Sequence, residues 1–310
     1  YGLDVSFITT ATNVGTNVSG TISTNTTWTL AGSPYIVTGN IEVYSLTSEP
    51  TLTIEPGVEV RFAGPYTLRI GQSGGSGKGR LIAQGTFSNP IVFTSTQPQQ
   101  IYSCGIQLYN HASTESIIEN VIVEYAGYYD GIYYGGITLS NSSPVIKNSV
   151  IRYNKYYGLY VTGDSFPIIT ESLISNNGWH GIFAVNTGEV NITFSTLSNN
   201  TNYAIYLSSS NLKINHCNIT GNGNGIYTSI TGTYIAEAQF NWWGNASGPS
   251  GLGNGTGQSV SSGVNFEPWL STSFTYPFYN THLDATLQEF SPLNNSVTYI
   301  FSISENSDWT

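Results

Sequence analysis

Apolar and polar residues alternate along much of the chain with the two-residue period of β-strands, and no helical period of 3.6 residues is visible. A longer period is superimposed on the middle of the chain, where units of about 22 residues begin with a small residue followed by an aliphatic one. The clear unit starts are Gly136, Gly158, Gly181, Ala204 and Gly225, at spacings of 22, 23, 23 and 21 residues. A further unit begins at Gly105, and a Tyr/Gly insertion over 128–135 separates it from the next. Such repeats indicate structural units that stack on one another.

Two apolar columns hold their position inside the units. The first comprises Ile117, Ile146, Ile169, Ile192, Ile214 and Ile235. The second, five residues later each time, comprises Ile122, Ile151, Ile174, Leu197, Ile219 and Phe240. Fixed columns require a fold that stacks equivalent positions, so we expect both columns to fill the interior of a solenoid.

Two polar columns accompany the apolar ones. The first holds mostly small side chains, which lie two residues before the second apolar column and should therefore point inward. It comprises Asn120, Ser149, Ser172, Ser195, Cys217 and Ala238. The other comprises Asn154, Asn177, Asn200 and Asn222, three or four residues before the next unit start. Asparagine tolerates the left-handed backbone region and can hydrogen-bond to a stacked copy of itself, so this column predicts an asparagine ladder at a turn.

A unit of this length with several short strands predicts one coil of a parallel β-helix. Leucine-rich repeats share the length, but their Leu-x-x-Leu-x-Leu pattern is absent. Upstream, 52–62, 79–86 and 90–95 predict less regular coils. We therefore expect an all-β chain with the β-helix over 27–268, preceded by a strand or leader over 1–26.

After the helix, 269–310 predicts a short β extension. These residues are too few to close a β-sandwich by themselves. Either the natural chain continues, or a neighbouring molecule completes the sandwich.

The composition fits an all-β chain. Only 8% of residues are charged, against about 25% in an average soluble domain, and residues that favour strands and turns take their place. With 8 basic and 18 acidic residues the net charge is −10, which disfavours nucleic acid and anionic membranes as partners. No run approaches the roughly 20 apolar residues that span a bilayer. The chain lacks methionine and begins at Tyr1, so we expect an exported chain whose leader has been removed.

Nine Asn-X-Ser/Thr sequons agree with export. They are Asn17, Asn25, Asn141, Asn191, Asn199, Asn218, Asn245, Asn254 and Asn294. A chain this rich in Asn, Ser and Thr would contain several by chance. We expect an extracellular or cell-surface location, with these asparagines as candidate glycosylation sites.

Several segments together resemble a known family. They are Trp28-Thr-Leu, Leu52-Thr-Ile-Glu-Pro-Gly-Val, Asn89-Pro-Ile-Val-Phe-Thr-Ser, and a block from Asn241-Trp-Trp-Gly244 to Pro268-Trp-Leu270. These segments are similar to the opening and closing segments of right-handed β-helix repeat proteins of archaeal and bacterial cell surfaces. The resemblance covers about three quarters of the chain, and the last block is its most specific part. It implies a right-handed parallel β-helix of the pectate-lyase-like superfamily, a fold that enzymes, adhesins and envelope proteins share.

The acidic residues do not form the cluster that polysaccharide-cleaving β-helices present. Seven Asp or Glu lie from Glu115 to Glu189, but they fall on different repeat columns rather than in the pair that glycoside hydrolysis needs. His180-Gly181 is similar to a His-Gly pair of polygalacturonases, yet the accompanying Asp-Asp and Arg-x-Lys segments are absent, so we interpret His180 as a turn histidine. The histidines occupy unrelated positions, so we predict no catalytic residue, metal site or cofactor.

The two cysteines are not expected to pair. Cys217 occupies the small inward column, where a buried space-filler is a better interpretation than a nucleophile. Cys104 lies four coils away, which is about 19 Å at about 4.8 Å per coil. A disulfide requires Cα atoms within about 7 Å of each other.

An outward aromatic stripe is the main candidate contact surface. Two residues into the units come Tyr160, Phe183, Tyr206 and Tyr227, flanked by inward aliphatic residues and therefore pointing to solvent. Neighbouring turns add Tyr133, Tyr134, Tyr156, Tyr157, Trp179 and Tyr203. Such a stripe can pack against another protomer, stack on sugar rings, or simply stabilise its strands.

These observations predict a structural, self-assembling cell-surface protein, such as a subunit of a surface layer, sheath or filament. Copies of the same chain would be its main partner. The alternative is a carbohydrate-binding adhesin or a divergent polysaccharide lyase or hydrolase, whose partner would be a glycan.

Overall fold

The computed structural model describes residues 15–72, 74–97, 103, 105–110, 112–127, 135–229 and 235–274. Within these residues the strands are β1 (Thr16–Ile22), β2 (Thr26–Trp28), β3 (Tyr35–Val43), β4 (Thr51–Ile54), β5 (Glu59–Phe62), β6 (Thr67–Ile70), β7 (Arg80–Gln84), β8 (Ile91–Ser95), β9 (Gly105–Tyr109), β10 (Ile117–Glu119), β11 (Val121–Glu124), β12 (Gly135–Ser140), β13 (Val145–Lys147), β14 (Val150–Arg152), β15 (Tyr157–Gly163), β16 (Ile168–Thr170), β17 (Leu173–Ser175), β18 (Ile182–Thr187), β19 (Glu189–Thr193), β20 (Thr196–Ser198), β21 (Tyr203–Ser208), β22 (Asn211–Asn215), β23 (Asn218–Thr220), β24 (Asn224–Thr228), β25 (Ala236–Glu237), β26 (Pro249–Gly251), β27 (Gly257–Val260) and β28 (Val264–Asn265). A single 3-10 turn, Leu30–Gly32, separates β2 from β3 in this part of the chain.

The described strands form two parallel sheets that wind together. Sheet B takes one strand from each coil and consists of β2, β4, β7, β10, β13, β16, β19, β22, β25 and β28. Sheet A has 18 strands and takes the others, two from each regular coil. One coil thus runs through β16 in sheet B, then β17 and β18 in sheet A, and the next coil repeats this order. The architecture is a right-handed parallel β-helix, as the sequence predicts.

The strand register confirms the repeat. Ile106, Ile137, Leu159, Ile182, Ile205 and Ile226 pair in turn along sheet A. The predicted unit starts, each one residue earlier, therefore stack on one another. Glycine suits these starts because neighbouring backbones approach closely. A Cβ on Gly158 would lie 2.7 Å from the carbonyl oxygen of Gly181, and one on Gly181 would lie 2.6 Å from that of Ala204.

Each regular coil turns at three corners, and a left-handed residue marks each one. The first corner holds Asn120, Asn148, Glu171, Phe194, His216 and Phe240. The second holds Tyr125, Tyr153, Asn176, Asn199 and Gly221, and the third holds Asn141, Gly163, Asn186 and Ser209. Asparagine and glycine are the residues that adopt this backbone region at least cost, which explains their recurrence.

The asparagine ladder is present as predicted, with one correction to its backbone. Nδ2 of Asn154 donates to Oδ1 of Asn177 at 2.9 Å, Asn177 donates in the same way to Asn200, and Asn200 to Asn222. All four residues are buried. The left-handed residue, however, is the one that precedes each ladder member, such as Tyr153 before Asn154. The corner residue turns the chain, and the next residue points inward to bond with its neighbour.

The small polar column forms a second interior ladder. The backbone N–H of Ser149 donates to Oγ of Ser172, that of Ser172 to Ser195, and that of Ser195 to Sγ of Cys217, at 3.1–3.4 Å. The predicted ends of this column are wrong. Asn120 is the left-handed corner residue, and Val121 is the residue whose N–H donates to Ser149. At the other end Oδ1 of Asn241, not Ala238, accepts from the Cys217 N–H at 2.9 Å.

A third interior ladder was not anticipated. It lies behind the third corner and comprises Ser142, Ser165, Thr187 and Ser210, all buried. The N–H of Ser142 donates to Oγ of Ser165 at 3.1 Å, and the N–H of Thr187 donates to Oγ of Ser210 at 3.2 Å. Serine and threonine occur throughout this chain, so the column does not stand out in the sequence.

The predicted apolar columns are correct in the regular coils and wrong before them. Ile118, not Ile117, pairs with Ile146, and Val123, not Ile122, continues the column of Ile151. The insertion over 128–135 lengthens the coil between these strands. The columns predicted from the regular coils are therefore displaced by one residue in the coils before the insertion. In a strand, a shift of one residue exchanges a side chain that faces the core for one that faces solvent.

The same displacement occurs after the last regular coil. Ile235 and Phe240 are 54% and 45% exposed, whereas Ala238 and Trp243 are buried. Ala236 pairs with Leu212, so Ala238 and not Ile235 follows Ile214. Extra residues in the last coil lengthen it and shift the register.

Tryptophans close both ends of the interior. Trp28, in the first strand of sheet B, is buried and stacks on Tyr35 with ring centroids 4.8 Å apart. Trp242 pairs with Asn218, which places the buried Trp243 next to Ile219 in its column. The first and the last of the segments that carry the family resemblance thus supply large rings at the two ends of the core.

The described β-helix begins earlier than its expected boundary at 27. Strand β1 already pairs in parallel with β3 in sheet A. At the other end the last paired strand is β28, close to the expected boundary at 268. Residues 1–14 and 275–310, which include most of the predicted C-terminal extension, lie outside the described part of the chain.

Candidate functional site

The predicted aromatic stripe forms one continuous column on sheet A. Tyr160 pairs with Phe183, Phe183 with Tyr206, and Tyr206 with Tyr227, one residue on each of four consecutive coils. All four side chains are partly exposed, while the residues on either side of each are buried. The strand pattern therefore directs these rings outward.

The rings of the aromatic stripe contact one another. The centroids of Tyr160 and Phe183 are 5.6 Å apart with the planes 16° from parallel, and those of Tyr206 and Tyr227 are 4.8 Å apart with the planes at 31°. Phe183 meets Tyr206 edge to face at 5.5 Å. These distances lie in the favourable range for aromatic pairs. Each ring thus covers part of its neighbour, and the stripe is a fixed feature of the sheet.

A second row of rings supports the stripe from one side. Tyr157 lies 4.9 Å from Phe183 and 5.6 Å from Trp179, and Tyr203 lies 5.3 Å from Tyr227. Trp179 and Tyr203 are partly exposed, as expected. Tyr157 is only 4% exposed, so the exposure that we expected for it is not observed. Its ring lies among its neighbours because it begins β15 at a corner where several rings converge. Tyr133 and Tyr134 lie outside the described residues.

His180 is buried at the centre of this aromatic group. Its ring centroid lies 5.2 Å from those of Trp179 and Tyr206 and 5.6 Å from that of Tyr157. Its Nδ1 accepts a hydrogen bond from the backbone N–H of Tyr203 at 3.3 Å. Burial lowers the pKa of His180 from 6.5 to about 4, so the imidazole is neutral at pH 7. These contacts agree with a turn histidine that packs and positions the chain.

The phenol of Tyr206 is also held neutral. Burial raises its pKa, and the nearby hydroxyls of Tyr227 and Tyr203 raise it further. The hydroxyl of Tyr206 is therefore uncharged at physiological pH. It can donate and accept hydrogen bonds, but it supplies no charged group for acid–base chemistry.

The column of the stripe continues upstream with polar residues, which the repeat pattern did not reveal. Glu42, Arg69, Gln107 and Thr138 precede Tyr160 in register. Arg69 pairs with Glu42 at 2.7 Å, donates to Oε1 of Gln107 at 3.0 Å and lies over the ring of Tyr109. Gln107 and Thr138 are buried although their column faces outward. The guanidinium is thus held by partners within the sheet.

Most of the positive charge in the chain is neutralised in the same way. Six of the eight Lys and Arg side chains form ion pairs with a carboxylate at 4.0 Å or less: Arg61, Arg69, Arg80, Lys147, Arg152 and Lys213. In the described part of the chain, no group of three or more His, Cys, Asp or Glu side chains could hold a metal ion. Carboxylates in this region therefore serve mainly as partners of cations on adjacent strands.

The candidate glycosylation sites differ in how free their amide nitrogens are. Asn17, Asn25, Asn199, Asn245 and Asn254 are exposed, and Asn191 is partly buried on sheet B. Asn294 lies outside the described residues.

Two sequon asparagines use the nitrogen that a glycan would need. Nδ2 of Asn141 donates to Oδ1 of Asn110. The side-chain amide of Asn218 forms two hydrogen bonds with the backbone of Phe274. Nδ2 donates to the carbonyl oxygen at 2.6 Å, and Oδ1 accepts from the N–H at 2.8 Å. The amide to which a glycan on Asn218 would attach is therefore engaged at both ends by the chain itself.

Cys217 is a free and fully buried thiol. Its Sγ accepts from the N–H of Ser195 and donates to the carbonyl oxygen of Asn215 at 3.2 Å. Burial raises the pKa of Cys217 to about 12, so the reactive thiolate is not populated near pH 7. This agrees with the interpretation of Cys217 as a buried space-filler. Cys104 lies outside the described residues.

Among the described residues, no helix has the length and apolar character needed to cross a membrane.

Comparisons with known proteins agree with the fold. Residues 104–246 match the Beta_helix family, described as a right handed beta helix region. No curated protein matches the chain. Among solved structures, the chain is similar to a double mutant of the periplasmic alginate epimerase AlgG, with 13% identity over 82% of this chain and 84% of that one. The TM-score is 0.30, too low to support any argument about function. The strand topology and the family match together identify the chain as a right-handed parallel β-helix protein.

Proposed function

We propose that this chain is a structural β-solenoid of the cell surface that assembles with copies of itself through the aromatic stripe. The observation that supports the proposal best is the alignment of Tyr160, Phe183, Tyr206 and Tyr227 in one outward column on four consecutive coils. Partly exposed rings that form a continuous patch are typical of protein contact surfaces.

The stripe is well suited to bind a protein because it is already ordered. Its rings are fixed by one another and by the buried row of Tyr157 and His180 beneath them. Little side-chain entropy is therefore lost when a partner covers the stripe. Tyrosine hydroxyls at its surface can satisfy polar groups of the partner.

The arrangement of the rings favours a protein partner over a glycan. Sugar rings bind aromatic side chains face to face, but Tyr160 already stacks on Phe183, and Tyr206 tilts against Tyr227. Part of each ring face is thus occupied within the chain. Ring edges and hydroxyls remain, and these pack readily against the side chains of a second protein.

The charge distribution is consistent with close packing between copies. Only 8% of residues are charged, so most of the surface that a second copy would meet is uncharged, and salt screens the long-range repulsion that comes from the net charge of −10. The exposed sequons at Asn17, Asn25, Asn199, Asn245 and Asn254 are accessible for glycosylation of an exported protein.

The proposal is tested by replacing Tyr160, Phe183 and Tyr206 together with serine. The buried core lies on the opposite strand face, so we expect the variant to fold and to lose the extended assemblies of the parent, measured by analytical ultracentrifugation and electron microscopy. A matched control replaces Leu30, Leu46 and Phe87 with serine. These residues are 56%, 70% and 44% exposed and lie between strands of the first coils, outside the column of the stripe.

Two outcomes would reject the proposal. A stripe variant that assembles as well as the parent would show that the rings only stabilise their strands. A parent that stays monomeric but binds polysaccharides, with binding lost in the stripe variant, would establish glycan contact instead.

A further inference from the structure

The outward face of sheet B carries an aliphatic strip. Ile82, Ile117, Val145 and Ile168 occupy one position on four consecutive coils. Each is flanked along its strand by buried residues, so its side chain points away from the core, and Ile168 is 49% exposed. The next position in this column is the polar Asn191. The strip is therefore a bounded patch about 14 Å long, at about 4.8 Å per coil.

A polar column runs beside the aliphatic strip, two residues later along each strand. It comprises Gln84, Glu119, Lys147 and Thr170. If a second copy of the column runs in the opposite direction, the amide of Gln84 lies opposite the hydroxyl of Thr170. The acid Glu119 then lies opposite the base Lys147. The column is thus complementary to its own reverse.

We infer that this face binds a second copy of the chain in antiparallel orientation. The two-fold axis would run along the strands, between the coil of Glu119 and the coil of Lys147. Glu119 of each copy then faces Lys147 of the other, and Gln84 faces Thr170. A two-fold contact of this kind repeats each pairing twice.

The same axis also brings the aliphatic strips into register. Ile117 of each copy packs against Val145 of the other, and Ile82 packs against Ile168. The apolar side chains are shielded from water while the polar column beside them pairs its charges. Apolar burial supplies affinity in such an interface, and the charge pattern selects the orientation.

The charged groups are loosely held within one chain, which leaves them available to a partner. Nζ of Lys147 lies 4.0 Å from Glu119 and 3.6 Å from Glu171, and its side chain is 41% exposed. Glu119 accepts one hydrogen bond from Gln84 at 3.1 Å. A second copy can add a closer partner to each without breaking a tight intrachain pair.

This inference rests on the proposed self-assembly and adds a second face to it. The aromatic stripe lies on sheet A, whereas the aliphatic strip lies on sheet B. Two separate contact faces on one chain can join copies into assemblies larger than a dimer. That is the property which a layer, sheath or filament requires.

The test uses two charge reversals, Glu119→Lys and Lys147→Glu. In the stripe variant, which isolates the sheet B contact, each reversal creates two repulsive pairs in the antiparallel dimer. We expect each to weaken dimerisation at least about tenfold in sedimentation at low salt. An equimolar mixture of the two reversed chains restores both attractive pairs. Its affinity should return to within about threefold of the unreversed chain.

Recovery of dimerisation in the mixture distinguishes a lost contact between chains from a folding defect. Two misfolded variants would not regain dimerisation when they are mixed. Lys213→Glu is the matched control. It makes the same charge change on the same face outside the strip, and it breaks the Lys213–Glu189 ion pair at 3.0 Å. Introduced into the stripe variant, it should leave the dimerisation of that variant unchanged.

The outcomes distinguish this inference from the proposed function. A mixture that stays monomeric, reversals without effect, or a stripe variant that is monomeric at all concentrations would each overturn the sheet B contact. Assembly of the parent through the stripe would survive those results. A parent chain that shows no self-association would contradict both the stripe contact and the sheet B contact.

Discussion

Nδ2 of Asn177 donates to Oδ1 of Asn200 at 2.9 Å, across the gap between two consecutive coils. The backbone N–H of Asn177 donates to the same oxygen at 3.1 Å, and Nδ2 also donates to the carbonyl oxygen of Ile151 at 3.2 Å. The Oδ1 atom of Asn177 in turn accepts from Asn154. One buried amide therefore satisfies polar groups on three coils, and the β-helix repeats this device at successive corners.

We predict that Asn177→Ala lowers the free energy of unfolding by about 2–4 kcal/mol, because buried donors of Asn154 and the oxygen of Asn200 lose their partner. Denaturant unfolding measures the change. Asn202→Ala is the control: it makes the same substitution near the next corner, where the side chain is not part of the ladder, and should cost much less. Equal losses for the two variants would show that the ladder adds no specific stability.

Ile174→Asp should prevent folding. Ile174 is fully buried between Ile151 and Leu197 in the regular columns, so the variant would bury a carboxylate without a partner. Circular dichroism and soluble yield report the result. Leu173→Asp places the same charge on the outward face of the same strand and should fold. A well-folded, equally stable Ile174→Asp protein would contradict the register of the core.

His180 should make stability depend on pH. Its pKa is about 4 in the folded protein and 6.5 in the reference state, so the unfolded chain binds the proton first as the pH falls. The neutral, buried His180 therefore makes its full contribution to the free energy of unfolding above pH 6.5. This contribution, about 3 kcal/mol, is lost as the pH falls towards 4.

The measurement compares the unfolding free energy of the parent and of His180→Asn between pH 7 and pH 4. Asparagine can still accept from the Tyr203 N–H but does not titrate, so the variant should lose less stability on acidification than the parent does. Parallel curves for the parent and His180→Asn would disprove the assignment.

Cys217 should be unreactive in the native protein. Its thiol is buried and its pKa is raised to about 12, so neither access nor the thiolate favours modification. In a Cys104→Ser variant, a thiol reagent should label Cys217 only after denaturant is added, as mass spectrometry would show. In the parent, an intrachain disulfide would contradict both this environment and the expected separation of the two cysteines.

Much of the candidate contact surface could be predicted because the repeat fixes it. Tyr160, Phe183, Tyr206 and Tyr227 recur at equivalent positions, and a two-residue strand period decides that they face outward. Burial of Tyr157 could not be predicted, since it depends on the rings of Trp179 and Phe183 in the next coil, which converge with it at one corner. The hydrogen bonds between Asn218 and Phe274 join residues 56 positions apart, and no local sequence pattern predicts them.

The sequence by itself determined the fold, the unit starts and the asparagine ladder, because stacking identical coils forces identical positions into columns. It could not determine the register across 128–135 or in the last coil, where one added residue moves a side chain from the core to the surface. The aliphatic strip on sheet B depends on that register, because Ile82 and Ile117 align with Val145 only once the lengthened coil is placed. Contacts between coils of unequal length are non-local, and only the tertiary structure decides which residues they bring together.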